Sequence, residues 1–200
     1  MPYPFIAADE EKSDAVTPKR PNALEERLFQ ARTILIYGGI NQKLAEAVTS
    51  RLLAMQAESL DPITIFINSQ GGHVESGDTI YDMIKFVKPE IRMIGTGWCA
   101  SAGSLIYSAA KPEHRYALTN TRFLLHQPSG GMGGTASDIA IAAKEIVRMR
   151  QRLNEIYAKE TGQSVARITE DTQRDHWMSA EEAKAYGLVG KIISSAAEVV

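Results

Sequence analysis

Ser101 lies among small residues in Gly97-Trp98-Cys99-Ala100-Ser101-Ala102-Gly103, where a polypeptide backbone can approach a hydroxyl closely. A serine hydroxyl attacks a carbonyl only when a base takes its proton during the attack. His126, in Leu125-His126-Gln127-Pro128, is a base of the right kind, able to take that proton and later return it to a leaving amine. A carboxylate must then fix the imidazole and offset its charge; Asp171 and Asp175 are both candidates, and chain order does not separate them. The Gly71-Gly72 pair follows Asn68-Ser69-Gln70 and lets a backbone N–H point into a site with no Cβ in the way. Gly72 is the expected oxyanion donor, with the Ala102 N–H as its partner at the start of a helix.

Each piece has a plainer reading. Ser101 alone could be a helix N-cap, the glycine pair a tight turn after a strand, and His126 a structural histidine at a strand end. The order and spacing of all of them make peptide hydrolysis the leading expectation. Cys99 has no base matched to it and is expected, with Trp98, to pack beneath or beside the site. His73, His114 and His176 lack ligand-like spacing with carboxylates, so no metal site is expected. No Gly-x-Gly-x-x-Gly run follows a strand, which disfavours a dinucleotide cofactor.

These residues must be positioned by elements, and the hydrophobic pattern supplies them. Leu24, Leu28 and Phe29 fit a short helix, and Thr33 to Tyr37 a strand ending at Gly38-Gly39. Leu44, Val48, Leu52 and Met55 fall on one stripe, which predicts a helix over about 42–58. Ile63-Thr64-Ile65-Phe66-Ile67 predicts a strand buried on both faces of a parallel sheet. A helix marked by Ile80, Ile84 and Val87 ends near Pro89, and a strand over 91–94 follows. A helix is expected from Ser101 to about Ala110, and Phe123-Leu124-Leu125 leads as a strand into His126. After a glycine-rich stretch, Gly130 to Gly134, a long helix is expected over roughly 137–160, with Ile139, Ile146, Met149, Leu153 and Ile156 on its apolar side. Ser179-Ala180-Glu181-Glu182 is a capping box for a last short helix stopped by Gly187. Alternating strands and helices indicate an α/β domain.

Two hundred residues, 44% of them hydrophobic, suffice for one domain that buries about 70% of its unfolded surface. Residues 1–21, rich in charge and proline, read as an N-terminal arm or loop, with the domain proper over 22–200. A net charge of −2 argues against nucleic acid as a partner; the Arg148-to-Arg152 run reads as a wet helix face or subunit contact. One cysteine excludes an internal disulfide and suits a reducing compartment. No secretory signal or membrane span is legible, so the cytoplasm is the expected location.

Taken together, several blocks resemble the ClpP family, the proteolytic subunit of the ATP-dependent Clp protease. They are Ile67 to Gly72, Ile80-Tyr81-Asp82, Phe86-Val87-Lys88-Pro89, Ala100 to Gly103, His126-Gln127-Pro128, Arg152 to Ile156 and Met178 to Ala183, in order from about Leu24 to Ile193. The resemblance implies the family's crotonase-like fold of stacked β-α units with a protruding handle helix over about 137–160. It implies Ser101 as nucleophile, His126 as general base and Asp175, rather than Asp171, as triad aspartate, with Gly72 and Ala102 as oxyanion-hole amides. It implies self-association into heptameric rings, paired through the handles as a tetradecamer around a degradation chamber. An AAA+ unfoldase such as ClpX or ClpA would thread unfolded polypeptide into it, consuming the ATP; the protease itself needs no cofactor and no metal. A crotonase-type acyl-CoA enzyme would share the fold but has no use for this triad. The chain departs from the family pattern at Gln70, at Trp98-Cys99, at Gln173 before Arg174, and throughout the arm. The Gln173 departure implies a weakened or rebuilt ring-ring ion pair at Arg174, and the arm's divergence suggests a second, specialised paralogue that assembles with another ClpP-like subunit. A catalytically idle or partner-dependent ring subunit is the alternative reading.

Overall fold

The fold, a computed structural model, is described for residues 23–130 and 133–199. The expected arm over 1–21, and Gly131-Met132 of the glycine-rich stretch, lie outside the described residues. Helix α1 (Ala23–Gln30) leads into β1 (Thr33–Ile40), α2 (Gln42–Glu58), β2 (Ile63–Gly72), α3 (Val74–Phe86), β3 (Ile91–Ala100) and α4 (Ala102–Tyr107). There follow β4 (Arg115–Leu118), β5 (Arg122–Leu125), the long α5 (Ala136–Thr161), α6 (Val165–Asp171), β6 (His176–Ser179), α7 (Ala180–Ala185) and β7 (Lys191–Ile193). The sheet runs β1-β2-β3-β4-β7, all neighbours parallel, as repeated β-α units require.

Strand β3 is where this sheet forks. Its first half, Met93 to Gly95, pairs with β4, and its second half, Trp98 to Ala100, pairs with β5. Strand β5 in turn pairs antiparallel with β6, giving a small side sheet β3-β5-β6. The sequence pattern gives β3 only through Ile94, because Gly95-Thr96-Gly97 carries no apolar signal; the strand continues because β5 offers a new partner past the fork.

Strand β2 departs from the expected two-faced burial. Ile63, Ile65 and Ile67 are fully buried against the helices, whereas Thr64, Phe66 and Asn68 are only half-buried. Helices cover one face of the sheet; on the other, a small cluster of Ile94, Tyr116 and Ile193 takes Phe66, Leu118 and Val199 against it, leaving Leu35 and Tyr37 exposed. Strand β1 also runs past the expected stop at Gly38-Gly39 to Ile40, with a break in register against β2 between Tyr37 and Gly39.

Helix α5 starts at a capping box in which Thr135 accepts from the Asp138 N–H and Asp138 accepts from the Thr135 N–H, and it ends at left-handed Gly162. At 26 residues it is about 39 Å long. Its apolar stripe packs on the core from Met149 onward; on the first half Ile139, Ile141 and Val147 are exposed, although Ala142 is buried and Ile146 half-buried, so much of that half stands clear of the core.

The second half of α5 is tied down by a buried charge. Arg115 on β4, with no exposed surface, donates to Ala110 O (2.8 Å), Ser108 O (2.6 Å), Glu160 O (2.6 Å) and Glu160 Oε2 (2.5 Å). Glu160 Oε1 also accepts from Tyr81 Oη and Lys85 Nζ on α3, both at 2.7 Å. Burial pushes the Glu160 carboxyl up, but the Lys85 and Tyr81 hydrogen bonds and the Lys85 and Arg115 charges outweigh it, leaving it below the usual carboxylate range. Glu160→Ala should therefore cost about 3–5 kcal/mol in denaturant unfolding of the assembled protein, because it strands Arg115 without its counter-charge. Because the folded carboxyl titrates low, the wild type's advantage over Glu160→Gln should be full above about pH 4.3 and fade as pH falls through the depressed value. An advantage that does not change with pH would show that the carboxylate charge is not what stabilises α5.

Candidate functional site

The fork in β3 decides where the chemistry sits. Strands β3, β5 and β6 lie side by side, and the register Ala100↔Leu124 and Leu125↔His176 brings the C-terminal ends of β3 and β5 level with the start of β6. Ser101 follows β3, His126 follows β5, and Asp175 precedes β6. Three residues distant in sequence thus arrive at one end of one small sheet.

Ser101 occupies φ 56°, ψ −123°, a region that costs a non-glycine residue about 1–3 kcal/mol. Such a conformation persists only when its surroundings over-determine it, and they do. The Ser101 N–H donates to Leu124 O at 3.0 Å, and its carbonyl accepts from the Leu105 N–H at 3.2 Å and from Tyr157 Oη at 3.2 Å. Below the turn, Ser104 Oγ lies 2.5 Å from Cys99 O and 2.8 Å from Leu124 O, bridging β3 to β5. Helix α4 is shorter than the expected span to Ala110, at only six residues, so its individual N–H groups matter here and not a long helix dipole.

His126 Nδ1 lies 3.2 Å from Asp175 Oδ1. With the proton on Nδ1, the carboxylate accepts it and Nε2 is left with its lone pair. The backbone flanking this pair is pinned: Gln127 N–H donates to Thr172 O at 2.8 Å, and Gln127 Nε2 donates to Gln173 O at 2.9 Å. Thr172 Oγ1 meets the buried Asn154 of α5 at 3.1 Å, so the long helix supports this side of the site too. Asp171, the other candidate, sits elsewhere: its carboxylate accepts from Arg167 Nε and from Tyr186 Oη, each at 2.7 Å. Burial raises its carboxyl, while the Arg167 and Tyr186 hydrogen bonds and nearby positive charge bring it below the usual range. It is a structural carboxylate joining α6 to the segment after α7.

Gly71 packs directly on the serine turn, while Gly72, paired with Ile40 of β1, lies against the Ile40 backbone. Gly71 has φ 96°, and a Cβ there would lie 2.7 Å from Ser101 Cβ, 2.8 Å from Ala100 O and 3.2 Å from the Ala102 nitrogen. Only glycine permits this approach. Buried Ser69 holds the turn, donating to Gly38 O at 2.6 Å and accepting from the Gly71 N–H at 3.0 Å. Gln70 spans the same neighbours, its amide reaching Gly38 O at 3.3 Å and the Gly39 nitrogen at 3.2 Å.

Ser101 and His126 share a small cavity walled by Val74, Ala102, Leu105, Pro128, Leu153 and Tyr157. Its side-chain lining beyond the two polar residues is apolar apart from the Tyr157 hydroxyl, and that hydroxyl is turned to Ser101 O. Cys99 is fully buried, and burial pushes its thiol well above the ordinary range, which makes it a packing group and not a nucleophile. Trp98 turns away from the cavity and stacks on Trp177 with centroids 6.2 Å apart, while Arg122 lies 4.4 Å from the Trp177 ring centroid. The bulky indole before the serine therefore packs sideways across the small sheet. Tyr157, Asn154 and Thr172 escaped the sequence reading. The available signal was a tyrosine in the apolar stripe of α5, since a buried phenol needs a partner. Among the described residues no cluster of His, Cys, Asp and Glu is placed to hold a metal ion, and no helix is long and apolar enough to cross a membrane.

A profile of the Clp protease family matches residues 18–196. The ATP-dependent Clp protease proteolytic subunit 3 of Rhizobium etli is 56% identical over 193 residues, covering 96% of this chain and all of the relative. Proteolytic subunit 2 of Gluconobacter oxydans is 61% identical over 178 residues, covering 88% of this chain and 80% of the relative. The solved structure of ClpP1 from Listeria monocytogenes superposes with a TM-score of 0.81 at 54% identity, covering 88% of this chain and 99% of that one. With its fold matched by a solved ClpP, and its sequence matched almost end to end, this chain belongs to the Clp protease family, as a serine-endopeptidase subunit of an oligomeric chamber that works with Clp ATPases.

Proposed function

We propose that Ser101, His126 and Asp175 are the catalytic triad of this subunit, with the Gly72 and Ala102 N–H groups as its oxyanion hole. The observation that carries the reading is the delivery of all three side chains to one end of the β3-β5-β6 sheet, with His126 and Asp175 in contact. Ser101 Oγ attacks the scissile carbonyl carbon while His126 Nε2 takes its proton. The oxyanion formed at that carbon is met by the two amides, donors of the kind that stabilise such a charge. His126 then protonates the leaving amine, and water releases the acyl group from Ser101 by the same route in reverse. Asp175 holds the imidazole and stabilises its positive charge throughout. No step uses a metal, a cofactor or a nucleotide; ATP is consumed by the partner.

The surface beside Ser101 is apolar, lined by Val74, Leu105, Pro128 and Leu153, and the cavity between them, about 10 Å³, holds no more than a water. Substrates in this reading are unfolded polypeptides, delivered in the cytoplasm by an AAA+ unfoldase such as ClpX or ClpA and cut to short peptides. The exposed Ile139, Ile141 and Val147 on the projecting half of α5 fit a contact between two heptameric rings. The numbered names of the relatives, subunit 3 and subunit 2, favour a specialised paralogue able to share rings with another ClpP-like subunit. One observation favours the alternative of a partner-dependent subunit: the Asp175 side chain is 63% exposed, so one subunit alone does not enclose the triad. Peptidase activity that appears only when a second subunit is added would select that alternative.

Ser101→Ala should abolish hydrolysis of a fluorogenic peptide while ring assembly by size-exclusion chromatography is unchanged; retained turnover would remove Ser101 as nucleophile. Asp175→Asn should lower kcat by on the order of 10⁴, as loss of the orienting carboxylate does in such triads. Asp171→Asn should leave kcat within a few-fold, since that carboxylate serves Arg167 and Tyr186. Equal losses in the two variants, with assembly intact, would tell against Asp175. Gly71→Ala should lower kcat by about 10² or more by driving a methyl into the Ser101 turn and displacing the adjacent amides.

A further inference from the structure

Ser101 is linked to the long helix by one side-chain bond. Tyr157 sits on the anchored half of α5, is 3% exposed, and donates its phenolic hydrogen to Ser101 O. Among the described residues it is the only side chain hydrogen-bonded to the Ser101 backbone; the other partners, Leu124 O and the Leu105 N–H, are main chain. The Ser101 carbonyl and the Ala102 N–H are opposite ends of one planar peptide unit, so fixing the direction of the oxygen fixes the direction of the hydrogen. A donor on the carbonyl also polarises the unit and strengthens the N–H at its far end. Ser101 holds a strained positive-φ conformation, so the orientation of its peptide depends on these restraints.

We propose that Tyr157 is a positioning residue that aims the Ala102 N–H at the developing oxyanion by holding the Ser101–Ala102 peptide from behind. The phenol is suited to the task. Burial, and secondarily the Asp78 charge, push its ionisation far above the ordinary range, so it stays a neutral donor. It also gives the anchored end of α5 a direct contact with the nucleophile's own peptide, beside the Leu153 wall of the cavity. The proposal rests on the triad reading above, in which Ala102 supplies one of two oxyanion donors.

The test is Tyr157→Phe, which keeps the ring in the cavity wall and removes only the hydroxyl. Removing an oxyanion donor outright costs about 10²–10³ in kcat, and a misaimed one should cost roughly tenfold. KM should stay within about twofold, since the apolar wall is retained. A peptide boronic acid, whose tetrahedral adduct on Ser101 places an oxygen in the same hole, should lose affinity in parallel with kcat. A loss of packing alone would not produce that parallel. Unchanged kcat and boronate affinity overturn the proposal. A rise in KM at constant kcat overturns it in favour of a pocket-wall role, and loss of activity through dissociation of the particle overturns it in favour of helix docking. Ser101→Ala, run beside it, separates the two levels: turnover surviving there removes the triad reading itself, whereas an inactive Ser101→Ala with fully active Tyr157→Phe removes only the role of Tyr157.

Discussion

Arg115 brings a full charge into the interior, and four oxygen acceptors answer it: the carbonyls of Ala110, Ser108 and Glu160 and the Glu160 carboxylate. Through Glu160 the same cluster reaches Tyr81 and Lys85 on α3. Three stretches of chain distant in sequence, 81–85, 108–115 and Glu160 of α5, are thereby fixed to one point. A buried pair of this kind is weak evidence for net stability against an apolar alternative, because both charges lose their water. Its value lies in geometry: the guanidinium fork is satisfied in one arrangement, and that arrangement sets the depth and rotation of the C-terminal half of α5.

The rest of the site follows from α5 being held there. Within two turns of Glu160 the helix presents Tyr157 to the Ser101 carbonyl, Leu153 to the cavity and Asn154 to Thr172, whose own carbonyl accepts the Gln127 N–H beside His126. One helix thus touches both the Ser101 side and the His126 side of the site. Its other half leaves the domain with Ile139, Ile141 and Val147 uncovered, a face that a lone subunit does not bury. The helix that supports the site at its anchored half is thus the one that exposes an apolar face at its other half.

The chain's own departures from the family pattern also find local accounts. Gln70 spends its amide on the backbone of Gly38 and Gly39, bracing the glycine turn from β1. Trp98 joins Trp177 and Arg122 in a stack that crosses β3, β5 and β6, the three strands beside Ser101, His126 and Asp175. Such exposed aromatic and cation-π contacts contribute on the order of 0.5–1.5 kcal/mol each, enough to favour one register of a small sheet whose strands are only four residues long at β5 and β6.

What the sequence determined was whatever depends on local pattern or on residue type. The stripe over about 42–58 marked α2, the apolar side over roughly 137–160 marked α5, the capping box at Ser179 marked α7, and the small residues around Ser101 and the Gly71-Gly72 pair marked the chemistry. Ser101, His126 and Asp175 stood out by type and motif, but the residues alone left Asp171 equal to Asp175, and only the resemblance to a family divided them. Tertiary structure decided the remainder. Strands β4, β6 and β7 are three or four residues long, too short for a period to show, and exist because β3, β5 and β4 offer edges to pair with. Arg115 and Glu160 carry no local mark of burial, and non-local packing buries them together. The separation of Asp175 from Asp171, the sideways turn of Trp98 and the Tyr157 bond to Ser101 are contacts between positions tens of residues apart. Periodicity records which face of an element is apolar; it holds no information about which distant element that face will meet.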